Sequence, residues 1–190
     1  MLEIMASAVS AYDAAAAIRQ RIPGVPKVKL HKLLYMAQGF HLAQIGEPLF
    51  REDIEAWRHG PVVAELWRVE RYHAPARRPE QMDNTQLGTI GYVCSRYGNN
   101  SGGDLEAITH EHAAWSQAFW RHIQPGENRT MTTDAIRDQF TAVLKTDEQE
   151  REFRVDPQEL DAFMATARDR ARRGERGTPD TRESLLARRR

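Results

Sequence analysis

The segment Thr109-His110-Glu111-His112 sets two imidazoles beside a carboxylate, the residue types that ligate zinc or pass protons. Metalloprotease helices space their two histidines four apart, so both face one ion. Here the histidines are two apart, about 200° around a helix, and one helix cannot present both to a single metal. The spacing reads instead as a helix start, with Thr109 as the N-cap and Glu111 at the positive helix end. A second set, His31, His41 and His59 with Glu55, holds the residue types for acid–base work. His41 shares a helical face with Leu34, Ala37 and Ile45, which favours a hydrogen-bonded core histidine. Cys94 lies on an apolar helical face and reads as a small core residue rather than a nucleophile. The turn "NNSGGD" lacks the lysine and the preceding strand of a phosphate loop. No catalytic, cofactor-binding or metal-binding residue is assigned, so the chain is expected to be no enzyme and to need no cofactor.

The elements that hold these side chains are mostly helical. Ser10 and Asp13 have capping-box-like spacing ahead of an alanine-rich helix, which Pro23, Gly24 and Pro26 end. The next helix, "VKLHKLLYMAQGFHLAQIG", is apolar around most of its circumference and belongs at the domain centre, with Gly46 as a left-handed cap. Lys29 and Lys32 share one edge of it and either reach along it to solvent or pair with Glu55 or another acid. "EPLFREDIEAW" suits a short extended segment. Gly60-Pro61 then reads as a strand-to-helix corner, with Pro61 at the first helical position and Trp57 and Trp67 anchoring the two arms. Further helices are expected with Leu87, Ile90, Cys94 and Tyr97 on one face, with Trp115, Phe119 and Trp120, and with Ile136, Phe140, Val143 and Leu144. Beyond residue 150, Asp156-Pro157-Gln158-Glu159 signals a new helix start. Leu160, Phe163, Met164 and Ala167 then form a narrow stripe, followed by arginines from Arg168 through Arg172 to Arg176.

Composition narrows the class. Residues 1–150 carry 16 basic and 19 acidic side chains, net −3, while residues 151–190 carry 11 and 8, net +3. The body is therefore not basic, which argues against a nucleic-acid-binding domain. The Arg-rich tail keeps a DNA-binding regulator as one alternative and the histidines keep a hydrolase as another. One cysteine excludes an internal disulfide and fits a reducing cytoplasm. No uninterrupted apolar run approaches the ~18 residues of a membrane span, and the opening residues lack the basic stretch of a signal peptide.

The block "KLHKLLYMAQGFHLAQIGEPLFREDIEAWRHGPVV" resembles the signature of the Panacea domain, the SocA-like antitoxin family also described as phage-associated GepA-like proteins. Lys29, Leu30, Lys32, Leu33, Tyr35 and Gln38 carry the first part of the likeness. Glu55, Ala56, Trp57, Gly60, Pro61 and Val62 carry the next. Thr109, His110 and Trp115 match a second block, in which Ala114 replaces the usual proline. The likeness covers roughly residues 10–145. It implies a mainly α fold and a cytoplasmic bacterial or phage protein that neutralises a toxin by direct contact. The toxin would be encoded by the adjacent gene, and some members deliver theirs to a protease. The expected layout is an antitoxin domain over 8–146 and a helical extension over 147–190. Trp67, Trp120, Leu160, Phe163, Met164, Arg168 and Arg172 are the candidate partner-binding residues.

Overall fold

The computed structural model describes residues 7–71, 82–121 and 129–152. The chain divides into two compact units, Met1–Lys145 and Thr146–Arg190. The described residues form seven helices and one β-hairpin, so the fold is mainly α with a small sheet. The stripe from Leu160 to Ala167 and the arginines after it lie outside the described residues.

Helix α1 (Ala11–Arg21) starts at Ser10, but the capping box does not form. The Ser10 hydroxyl donates to the Asp13 carboxylate at 3.0 Å, so neither serves the helix start. Glu52 does that from 41 residues away, accepting from the Ala11 N–H at 2.7 Å. A carboxylate at this helix end also meets the positive end of the macrodipole.

Helix α2 (Lys27–Ile45) is the axis of the core. Every residue from Leu30 to Leu42 is buried, as its all-round apolarity requires. Ile45 falls past that stretch and is 44% exposed, so the apolar stripe ends sooner than its spacing suggests. Gly46 ends the helix at φ 87°, its N–H bonded to the Leu42 carbonyl, the expected left-handed cap. Burying an entire helix also buries its polar side chains, and each needs a partner. Gln38 finds three in one loop: its Oε1 accepts from Leu49 and Phe50 N–H at 2.9 and 3.1 Å, and its Nε2 donates to the Phe50 carbonyl at 3.1 Å. His41 meets the Thr89 hydroxyl at 2.9 Å, the bonded core histidine expected.

Strands β1 (Ile54–Trp57) and β2 (Gly60–Val63) pair antiparallel, with Ala56 opposite Pro61 and Trp57 opposite Gly60. This corrects the strand-to-helix corner. Arg58 and His59 form a hairpin turn, Pro61 lies in a strand, and helix α3 (Ala64–Arg71) starts three residues later. Proline is tolerated there because β2 is an edge strand. The other edge of β1 is used: Ala56 N–H bonds to the Arg129 carbonyl and Met131 N–H to the Ile54 carbonyl, both at 2.8 Å.

Helix α4 (Asn84–Tyr97) opens with a complete capping box of Asp83 and Gln86. Its buried face is Gln86, Thr89, Ile90, Val93 and Tyr97, so Leu87 and Cys94 flank that face instead of centring it. Helix α5 (Gly102–His110) is capped reciprocally by Ser101 and Asp104. Thr109 is therefore no N-cap. It lies buried in the last turn of α5, its hydroxyl donating to the Glu106 carbonyl at 3.0 Å. Glu111 is the C-cap residue of α5, and helix α6 (Ala113–Arg121) begins after His112. Helix α7 (Thr133–Glu152) sends Phe140 into the core, where its ring lies edge-on to Tyr35, Phe40 and His112.

Candidate functional site

The described histidines do not gather. His31 accepts from the Val63 N–H at 3.2 Å, His41 pairs with Thr89, and His59 meets Glu106 at 3.1 Å on the surface. His110 stacks on Trp115, centroids 4.0 Å apart. His112 bonds the Tyr35 hydroxyl through Nδ1 at 3.0 Å. Each takes a different tertiary partner, so the acid–base set does not assemble. Among the described residues no group of three or more His, Cys, Asp or Glu is placed to hold a metal ion.

Burial sets the chemistry of these rings. It pulls His31 down to about 3, helped by Lys27, Lys32 and Arg19. It pulls His112 down to about 4 and His41 in the same direction. The Tyr35 hydroxyl is pushed far up by the same cause and stays protonated. These groups are neutral fixtures of a core at physiological pH, not proton carriers. Burial also raises the Cys94 thiol, the opposite of activation.

Lys32 differs from them. It does not run to solvent, and it forms no ion pair with any described residue. It is 1% exposed, and its Nζ donates to the Pro61 carbonyl at 3.2 Å. Burial pulls its ammonium down to about 8, against an upward pull from Glu106. The side chain still carries its charge at neutral pH, which costs the fold about 3 kcal/mol. Lys29 goes elsewhere, to the Gly98 carbonyl at 2.6 Å, although both lysines start from one edge of α2.

Gly60 makes room for that amine. Its φ is +94°, and a Cβ there would sit 2.7 Å from Lys32 Cε and 2.9 Å from Thr109 Oγ1. Gly60→Val is therefore expected to lower stability by more than about 1 kcal/mol, from backbone strain and the displaced lysine together. Thermal unfolding checks it, and an unchanged midpoint would show that neither constraint operates.

Above Lys32 opens a cleft of about 350 Å³, lined by Trp57, Trp67, Val28 and Val62 and carrying Arg58, His59 and Arg129 at its mouth. Trp57 of β1 and Trp67 of α3 meet edge-on at 5.6 Å. The nearby acids are occupied. Glu55 accepts from Trp57 Nε1 at 2.8 Å and pairs with Arg68 at 3.5 Å, and Glu106 pairs with His59. Lys27 lies 4.1 Å over the Trp67 ring. Arg58 and Arg129 form no ion pair with any described residue. The cleft thus has apolar aromatic walls and cationic floor and mouth.

Three residues of the signature line this cleft and several others support it. Lys32, Trp57 and Val62 line it, Gly60 and Pro61 seat the lysine, and Glu55 fixes the Trp57 ring. Trp115 is buried and bonds the Trp57 carbonyl through Nε1 at 3.1 Å. Leu30, Leu33, Tyr35 and Ala56 are fully buried core positions. Of the candidate partner-binding residues, Trp67 lines the cleft and Trp120 is 63% exposed elsewhere on the surface. Leu160, Phe163, Met164, Arg168 and Arg172 lie outside the described residues. Sequence reasoning missed Arg58 and Arg129. The turn between two strands could have flagged Arg58. Arg129 is brought there by the Glu55–Thr130 bridge, for which the sequence carries no local signal.

Residues 30–116 match the model of the family described as antitoxin SocA-like, Panacea domain. No curated protein and no solved structure matches the chain. Among the described residues no helix is long and apolar enough to cross a membrane.

Proposed function

We propose, from the match of residues 30–116 to the SocA-like antitoxin Panacea domain, that this chain neutralises a protein toxin by binding it, without catalysis. That match is the observation that carries the reading. The engagement of the titratable core groups in structural bonds supports it: His31, His41 and His112 each hold a different part of the fold. In this reading residues 8–146 form the antitoxin domain, residues 147–190 are an extension, and the toxin is the product of the neighbouring gene.

Co-expression with that neighbour tests the reading. The chain is expected to rescue growth and to co-purify with the toxin. His110→Ala and Cys94→Ala, which remove a stacked ring and a partly buried thiol, should rescue as well as the parent. A folded variant that binds the toxin with full affinity yet fails to rescue would overturn a binding-only role.

A further inference from the structure

We infer that the cleft above Lys32 receives an acidic side chain of the partner protein, its stem lying against the packed pair of Trp57 and Trp67 and its carboxylate meeting Arg58 and Arg129. This deepens the antitoxin reading and rests on it for the identity of the partner.

Three observations converge. First, the cleft is concave and of about 350 Å³, within the range that holds a small ligand or a few side chains. Second, the charges at its floor and mouth, Lys32, Arg58 and Arg129, have the same sign. Two acids of the surrounding described elements, Glu55 and Glu106, are already taken by Trp57, Arg68 and His59. An entering carboxylate therefore finds donors without displacing an internal pair. Third, Lys32 is a buried cation whose one hydrogen bond among the described residues goes to the Pro61 carbonyl. A buried charge weakly compensated in this way is more often a liability than a support, and Gly60 is left without a side chain where a Cβ would strike it. The fold bears that cost beside the apolar side chains of Trp57, Val62 and Trp67, where a cation strengthens any anion bound above it.

The chemistry favours a protein carboxylate over nucleic acid. The walls offer two indoles, but they meet each other at 60° and do not present parallel faces for successive bases. The body of the chain also carries more acidic than basic residues, which opposes a polyanion track and tolerates a single carboxylate. Aromatic residues beside arginine are what protein interfaces use as anchors.

The test uses the full chain and a defined probe. Acetyl-Leu-Glu-Leu-amide is titrated while the indole N–H signals of Trp57 and Trp67 are followed by NMR. Both should shift, and the glutamine counterpart should bind roughly tenfold more weakly. Exposed ion pairs contribute little singly, so Arg58→Ala and Arg129→Ala combined should also weaken the glutamate peptide about tenfold. Lys32→Met should weaken it too while holding or raising the melting temperature, which a merely structural lysine would not do. Equal binding of the two peptides would overturn the inference, as would saturation of the same signals by short single-stranded DNA at lower concentration than the peptide. The co-purified toxin separates this inference from the reading beneath it. If the double arginine variant, still folded, binds the toxin with parent affinity, the cleft assignment falls and the antitoxin reading stands. If the neighbouring protein never binds but the glutamate peptide is selected over glutamine, the antitoxin reading falls and carboxylate selectivity at the cleft stands.

Discussion

Lowering the pH from about 7.5 to about 5 is expected to cost the domain roughly 4 kcal/mol of folding stability. The loss comes from two imidazoles held neutral in the core. His31 is fully buried with its value near 3, and His112 is 7% exposed with its value near 4. Once unfolded, both return to about 6.5. Between the folded and unfolded values the unfolded chain binds more protons, so stability rises with pH in that window. It is therefore complete above about pH 6.5 and falls as the pH drops through the window, by about 2 kcal/mol for each ring at pH 5. His41 adds in the same direction. Geometry agrees with the sign for His31: its Nδ1 accepts from the Val63 N–H, and a proton there would turn an attraction into a donor–donor clash. Its second nitrogen, Nε2, has no hydrogen-bond partner, so it offers no compensation to the charged form. A loss of this size is a large share of a typical total of about 5–15 kcal/mol. Urea unfolding at several pH values reads it directly. A midpoint that is flat between about pH 7.5 and 5 would refute the assignment of these rings as neutral core groups. His112→Gln, which cannot titrate, should remove close to half of the slope.

The same residues show where the sequence stops being informative. Helix α2 and its cap at Gly46 were legible because a helix apolar on all sides can only be central and because the left-handed cap is a local property. The extended segment ending at Trp57 was legible for a similar reason. The Gly-Pro step was misassigned because proline at a helix start is the commoner local solution. What makes it a hairpin is tertiary: β1 is paired on its far side by residues 129–131, and the Lys32 amine fills the space a side chain at Gly60 would need. Thr109 failed for the complementary reason. Its Thr-x-Glu spacing imitates a helix start, but the Ser101–Asp104 box eight residues earlier launches a helix that runs past it. The cleft was half visible. Trp57 and Lys32 belong to a recognisable block, whereas Arg129 arrives from a distant segment by one strand bridge.

Gly39→Ala is expected to destabilise the domain by about 2–3 kcal/mol, although alanine is normally the better helix residue by about 0.5–1 kcal/mol. The reversal has one cause. Gly39 lies in the buried middle of α2, and a Cβ there would stand 2.0 Å from Phe140 Cδ2. Phe140 cannot step aside cheaply. It is fully buried, and its ring is held edge-on by Phe40 at 4.9 Å, Tyr35 at 5.2 Å and His112 at 5.4 Å. Glycine at this position is therefore the seat into which α7 lowers its aromatic anchor. Removing the anchor instead, Phe140→Ala, should cost about 3–5 kcal/mol through lost burial and the cavity left behind. The double variant decides the mechanism. With the ring gone, the alanine methyl at position 39 enters open space and recovers its helical advantage. Gly39→Ala should then stabilise the Phe140→Ala background by roughly 0.5–1 kcal/mol, a change of sign that corresponds to coupling of about 3 kcal/mol between the sites. Urea denaturation of the four proteins measures the cycle. Additive effects would mean that the glycine serves the helix for a reason unrelated to Phe140, and α7 would then owe its place on α2 to Ile136 and its partly buried neighbours Val143 and Leu144.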